Sequence, residues 1–125
     1  MGASTVELTK DSFDATLNGE GTVLIDFWAS WCGPCRTFAP VYDKVAERHP
    51  DVTFAKVDTE AEQELAAAFE ISSIPTLIAV RDGVLLYAQA GALPESALED
   101  LVSQVQALDM DEVRRQVEAN RAESA

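Results

Sequence analysis

Cys32 and Cys35 are the only thiols in this 125-residue chain, and Gly33 and Pro34 separate them. At that spacing two thiols can close a small disulfide ring or stand open as a dithiol, and passing between those states is oxidation-reduction chemistry. Directly upstream runs Val23-Leu24-Ile25-Asp26-Phe27-Trp28, apolar except for Asp26. A carboxylate inside a buried strand is destabilising by about 1–3 kcal/mol or more unless it is paired, hydrogen-bonded or protonated. Beside two thiols such a group is a candidate proton handler; the plain alternative is an Asp on a wetted strand end. Metal binding fails on ligand supply. Zinc takes about four ligands, and beyond the two sulfurs the chain offers His49 and no second cysteine pair.

The elements that must hold these groups follow from periodicity. Thr22 to Trp28 reads as a core strand, and Gly33-Pro34 as a turn into a helix. Cys32 then falls at or near a helix N-terminus, where unpaired backbone N–H groups and the positive end of the helix dipole favour a thiolate. From Pro34 to about His49 the spacing of Phe38, Val41, Tyr42, Val45 and His49 is helical. Pro40 interrupts and bends that helix, and His49 is expected as its cap or dipole partner. Val6 to Leu8 is a candidate first strand, and a short helix opens at Thr9 and ends near Asn18-Gly19.

Downstream, Val52 to Asp58 reads as a strand. It contains Lys56, a second charge in an apolar setting: either a partner that lowers the cost of burying Asp26, or a lysine that snorkels out at the strand end. Glu60 to Glu70 reads as a short acidic helix with Ala61, Leu65, Ala68 and Phe69 inward and its glutamates solvated. Leu77 to Val80 and Val84 to Tyr87 flank Asp82-Gly83, a hairpin signal, and Pro94-Glu95 start a helix through about Ala107. The order β-α-β-α-β-α-β-β-α is that of an α/β sandwich with a mixed sheet.

With 47% hydrophobic residues the chain suits one domain with a real core. Its 9 basic and 22 acidic residues give a net charge of −13, which argues against nucleic-acid binding. The charge is uneven: a net −3 over residues 1–50 and −10 over 51–125, so the segment around the cysteines is comparatively uncharged. No apolar run approaches the roughly 20 residues of a membrane span. Met1 to Leu8 lacks a basic start followed by an apolar run, so a cytoplasmic address with no membrane association is expected.

The set Trp31-Cys32-Gly33-Pro34-Cys35, preceded by Asp26-Phe27-Trp28-Ala29 and followed by Pro40, Ile74-Pro75-Thr76 and Gly91-Ala92, resembles the thioredoxin family over residues 5–107. The resemblance implies a thioredoxin fold, a three-layer α/β/α sandwich around a mixed central sheet. Residues 1–107 would form the domain, and 108–125 an added C-terminal extension. Cys32 would be the exposed nucleophile and Cys35 the recessed resolving thiol. Asp26 would relay a proton to or from Cys35, with Lys56 as its charge partner. Pro75 would be a cis proline facing the cysteines, with Thr76 supporting its loop. Trp31, Gly33, Pro34, Ile74, Gly91 and Ala92 would form the flat apolar surface on which substrate lies. The implied activity is protein-disulfide reduction with no bound cofactor. A flavin-dependent thioredoxin reductase drawing on NADPH would recharge the protein; disulfide-containing client proteins are its other partners, and a monomer is expected.

Two features depart from the family pattern: the polar pair Ser72-Ser73 before Ile74-Pro75, and the tail beyond Ala107. In the tail Asp109 and Glu112 read as a capping box, Met110, Val113 and Val117 as one helical stripe, and Arg114 with Glu118 as an i,i+4 pair. That predicts a helix when docked, serving either as a loosely packed extension or as a docking or self-association element. Two rival functions remain open at this point. One is a thiol oxidase or isomerase of an oxidising compartment, disfavoured by the Gly-Pro linker; the other is a non-catalytic adaptor, which has no physical need for Asp26.

Overall fold

In the computed structural model the described residues are 4–124; the first three residues of the N-terminal segment and Ala125 of the tail lie outside them. In chain order the elements are β1 (Thr5–Glu7), α1 (Lys10–Leu17), β2 (Thr22–Trp28), α2 (Gly33–Arg48), β3 (Thr53–Asp58), α3 (Gln63–Ala68), β4 (Thr76–Arg81), β5 (Val84–Ala90), α4 (Glu95–Ala107) and α5 (Met110–Ser124). The sheet order is β1-β3-β2-β4-β5. β3 runs parallel to β1 and β2, whereas β4 is antiparallel to β2 and to β5, so the sheet is mixed and β2 lies at its centre. Asp82 and Gly83, both at positive φ, make the β4–β5 turn. This is the two-residue hairpin that an Asp-Gly pair favours.

Side chains alternate along β2, and each alternate set packs against its own helical layer. Leu24 joins Phe38, Tyr42, Val45, Leu98 and Val102 on the α2/α4 face. Val23, Ile25 and Phe27 join Leu65, Ile78 and the partly buried Phe13 and Leu17 on the α1/α3 face. This is the two-sided burial that a near-continuous apolar strand requires. Asp26 shares the face of Leu24, and Tyr42 Oη ties α2 to β3 by donating to the Ala55 carbonyl at 2.8 Å. On the outside of that layer Arg48 bridges Glu95 and Glu99, and His49, the C-cap of α2, lies 2.6 Å from Glu99.

The acidic helix is shorter than its periodicity suggests. Asp58 Oδ1 accepts from the backbone N–H groups of Glu60 and Ala61, holding residues 59–62 as a turn, so α3 begins only at Gln63. Leu65 is buried and Phe69 half-buried as expected, but Ala61 and Ala68 are exposed. Pro40 lies inside α2 without ending it.

The tail is helical. Asp109 Oδ1 accepts from the N–H groups of Asp111 and Glu112, while the Glu112 carboxylate turns to Arg115 and Gln116, so one arm of the expected capping box forms. Arg114 meets Asp111 at 2.7 Å and Asp82 at 3.8 Å instead of Glu118, which pairs with Arg121. Met110 is buried. The junction between α4 and α5 is held by Arg81, whose Nη1 donates to the carbonyls of Val105, Gln106 and Leu108 at 2.8, 3.1 and 3.0 Å. They belong to the last turn and cap of α4, where carbonyls lack the usual i+4 partners; the Val105 carbonyl also accepts from the Leu108 N–H at 3.4 Å. Arg81→Met keeps the apolar stem and removes the donors, and should lower stability by about 1–3 kcal/mol in urea unfolding. An unchanged midpoint would mean that water satisfies the same carbonyls equally well.

Candidate active site

Ser30, Trp31 and Cys32 lie between the C-terminal end of β2 and the N-terminus of α2, so the strand delivers the cysteines to the sheet edge where its parallel neighbour β3 also ends. Cys32 is the N-cap of α2, and Pro34 sits in the first turn, where a missing N–H costs no hydrogen bond. The Cys32 carbonyl accepts from Arg36 N–H at 3.1 Å, and Arg36 Nη1 reaches back to the Ser30 carbonyl at 2.8 Å. Cys32 and Cys35 are joined in a disulfide with their Cα atoms 5.2 Å apart. The Cys35 N–H points at Cys32 Sγ, 3.2 Å away. That donor stabilises negative charge on Cys32 when the pair is open.

The expectation that Cys32 is exposed does not hold in this disulfide state. Cys32 is 4% and Cys35 3% exposed, and both pack with Ala29, Trp28 and Ile74. The two sulfurs differ instead in what they face. Cys32 lines an open cleft of about 420 Å³ with Trp31, Gly33, Pro34, Thr59, Ala66 and residues 71–74. Cys35 lines a cavity of about 100 Å³ behind it, with Asp26, Trp28, Ala29, Arg36, Ala39 and Lys56.

Asp26 is 1% exposed, and neither carboxylate oxygen has a hydrogen-bond partner among the described residues. Burial pushes its pKa up to about 7; the positive charge of Lys56 opposes this, and the nearby carboxylates of Asp43 and Glu7 reinforce it. Lys56 is the in-register neighbour of Asp26 across β2 and β3. It does not form the close ion pair that the sequence suggests. Its Nζ stands over the Trp28 ring, 5.3 Å from the centroid, which satisfies the ammonium with a π-face and leaves Asp26 only its longer-range field.

Of the residues expected to bind substrate, Trp31, Gly33, Pro34 and Ile74 line the cleft beside Cys32, whereas Pro75, Thr76, Gly91 and Ala92 do not. Trp31 is 64% exposed. The Ile74–Pro75 bond is cis, and the Ile74 carbonyl oxygen lies 3.7 Å from Cys32 Sγ. Pro75 and Thr76 are buried behind it. Thr76 Oγ1 donates to the Ser73 carbonyl at 2.6 Å, and Gly91 N–H donates to the Pro75 carbonyl at 2.8 Å, bringing Gly91 and Ala92 alongside.

Thr59, Glu60, Ala66 and Ile71 were not singled out by sequence reasoning. Glu60 Oε2 accepts from the Trp31 indole N–H at 2.7 Å, and Thr59 Oγ1 donates to the Trp28 carbonyl at 3.0 Å. The available signal was position. Thr59 and Glu60 follow β3 as Ala29 and Ser30 follow β2, and the C-terminal ends of adjacent parallel strands gather at one rim.

Comparison with known proteins matches residues 4–104 to the Thioredoxin family model. A Streptomyces coelicolor protein named "Putative thioredoxin 2" is 60% identical over 121 residues, covering 97% of this chain and 90% of that protein. The thioredoxin of Bacillus subtilis is 40% identical over 99 residues, covering 94% of itself but 78% of this chain. A chain solved in work on the thiol resolving mechanism of a yeast mitochondrial 1-Cys peroxiredoxin via glutathione/thioredoxin systems superposes with a TM-score of 0.75 at 31% identity. It covers 82% of this chain and 97% of its own length. The fold, the bonded cysteine pair and these relatives agree: the chain is a thiol-disulfide reductase built on Cys32 and Cys35, and it belongs to the thioredoxin family.

Proposed function

We propose that Cys32 is the attacking sulfur, Cys35 the resolving sulfur and Asp26 the group that exchanges a proton with Cys35. The observation that carries this assignment is the division of the two sulfurs between two spaces, Cys32 toward the open cleft and Cys35 toward the small cavity that holds Asp26. As a thiolate, Cys32 attacks one sulfur of a client disulfide. A mixed disulfide forms, and the other client sulfur leaves as a thiolate that takes up a proton. Cys35 then gives up its proton and attacks Cys32 Sγ; the second client thiol is released and the Cys32–Cys35 bond closes. Two electrons have passed to the client, and the protein is oxidised.

A carboxyl group with a pKa of about 7 accepts and returns a proton at neutral pH with little free-energy change, which suits this step. Lys56 tunes it through its field. A client lies on Trp31, Gly33, Pro34 and Ile74, with Pro75 and Thr76 holding Ile74 against Cys32 and with Gly91 and Ala92 extending the surface. The oxidised protein is restored by a thioredoxin reductase drawing on NADPH. We infer a cytoplasmic location and a monomeric working form, since net reduction of clients requires a compartment that keeps thiols reduced. Among the described residues no helix is long and apolar enough to cross a membrane.

Three outcomes are expected. With a thioredoxin reductase and NADPH, the protein should reduce insulin disulfides catalytically; absence of turnover would favour the adaptor reading. Cys35→Ser should accumulate a covalent mixed disulfide with client on non-reducing gels while Cys32→Ser does not, and equal trapping by both would sink the assignment of roles. The third outcome concerns pH. Because the folded-state pKa of Asp26 lies above its ordinary value of 3.8, the folded protein holds an extra proton between the two values. The resulting stability is fully present below about pH 4 and is lost as pH rises through about 7. At 1.36 kcal/mol per pKa unit, the group accounts for on the order of 3–4 kcal/mol between pH 4 and pH 8. Asp26→Asn should remove that slope from denaturant unfolding and flatten the pH dependence of mixed-disulfide resolution near neutrality; an unchanged slope in both would remove Asp26 from the mechanism.

A further inference from the structure

The cleft beside Cys32 does not stop at the serine pair. Ile71, Ser72 and Ser73 also line a second groove of about 210 Å³, whose far wall is β4 and β5 at Ile78, Ala88 and Ala90. The end of α3 creates this arrangement. Ile71 N–H donates to the Ala66 carbonyl at 2.9 Å and Glu70 N–H to the Ala67 carbonyl at 3.0 Å. Such paired bonds close a helix on a residue in the left-handed region and send the next, apolar residue back toward the helix. The left-handed residue is Glu70, at φ 54°. Glycine takes that conformation without steric cost; glutamate does not.

Among the described residues Glu70 is also the one charged residue lining either groove. The other glutamates around α3 are engaged: Glu60 with the Trp31 indole, Glu62 with the Lys10 N–H, and Glu64 with the Lys10 ammonium at 2.8 Å. The Glu70 carboxylate enters no ion pair or side-chain hydrogen bond among the described residues. Glu70 is exposed and lines, at a conformational cost, a groove that continues the reaction cleft, and its carboxylate has no partner from its own chain among the described residues.

We propose that the second groove is a client subsite: an extended client segment lying across Cys32 continues over Ser72 and Ser73 into it, where Glu70 selects a lysine or arginine. The proposal rests on the disulfide-reductase reading above. Two observations fix the occupant. Shared walls make the groove a continuation of the surface on which the client's reactive sulfur must sit, so a segment of that same client reaches it. Ala88 and Ala90 leave room for small uncharged side chains, while an unpaired carboxylate attracts a cation and repels an acid. Exposed charges act only within about 10 Å at ordinary ionic strength, so Glu70 sets the register of the cation relative to the cysteine.

The test is a series of disulfide-linked peptide dimers, identical except for a Lys, Gln or Glu placed at successive positions about two to eight residues to either side of the cysteine, a span of extended chain that bridges the two grooves. Reduction is followed as NADPH oxidation with a thioredoxin reductase, and the quantity compared is the ratio of kcat/KM between peptides on the same protein variant. Wild type should prefer the Lys peptide over the Gln peptide by about two- to fivefold on one side of the cysteine, as expected for an exposed ion pair, and the preference should shrink with added salt. Glu70→Gln and Glu70→Gly should bring the ratio to near unity, and Glu70→Lys should invert it toward the Glu peptide. Equal ratios at every position in wild type, or a Lys preference that survives in Glu70→Gln, would overturn the subsite. If wild type reduces none of the peptides, the disulfide-reductase reading itself fails, and the subsite with it.

Discussion

Burial of β2 on both faces is the constraint from which the site follows. A strand flanked by parallel β3 and antiparallel β4, and covered by α2 and α4 on one side and α1 and α3 on the other, has no wet position along its interior. Asp26 therefore cannot reach solvent, and burial holds its proton up to about pH 7. The same strand, running straight to the rim, aims its C-terminal end into the first turn of α2 and so places Cys32 where backbone N–H groups converge. The unfavourable carboxylate and the favourable thiolate position are two results of one packing decision.

Much of this architecture was legible in the sequence because it depends on local pattern. The apolar period of β2, the Asp82-Gly83 turn and the start of α4 at Glu95 each appear where residue types require them. What escaped was set by contacts across the chain. Lys56 reads as a partner for Asp26 because the two strands are neighbours, yet the Trp28 ring competes for its ammonium, and a sequence does not show which wins. Arg114 has an acidic neighbour on either side along its helix, and the fold brings a third, Asp82, near it. Cys32 reads as exposed from its role, but Ile74, forty-two residues later, lies over it.

The working face thus has two halves of different origin. One is local, formed by the turn from Trp31 to Cys35. The other is assembled from the chain after β3 and the chain before β4, and it supplies Thr59, Ile71, Ser72, Ser73 and Ile74. The first half carries the reaction and reads directly as a motif. The second forms the wall of the cleft facing Cys32, and residue types such as Ser and Glu reveal little until the helix before them is seen to end where it does.

Arg81 and the cysteines stand at opposite ends of the same sheet. Thr22, at the start of β2, pairs with Arg81, while Cys32 lies beyond Trp28 at the other end, so roughly 20 Å of strand separates them. The arginine that gathers three carbonyls at the α4–α5 junction therefore fastens the C-terminal helix to the pole remote from the reactive sulfurs. The junction that Arg81 holds and the reactive cysteines are thus kept apart by the length of the central strand, so the start of α5 is anchored without touching the redox face.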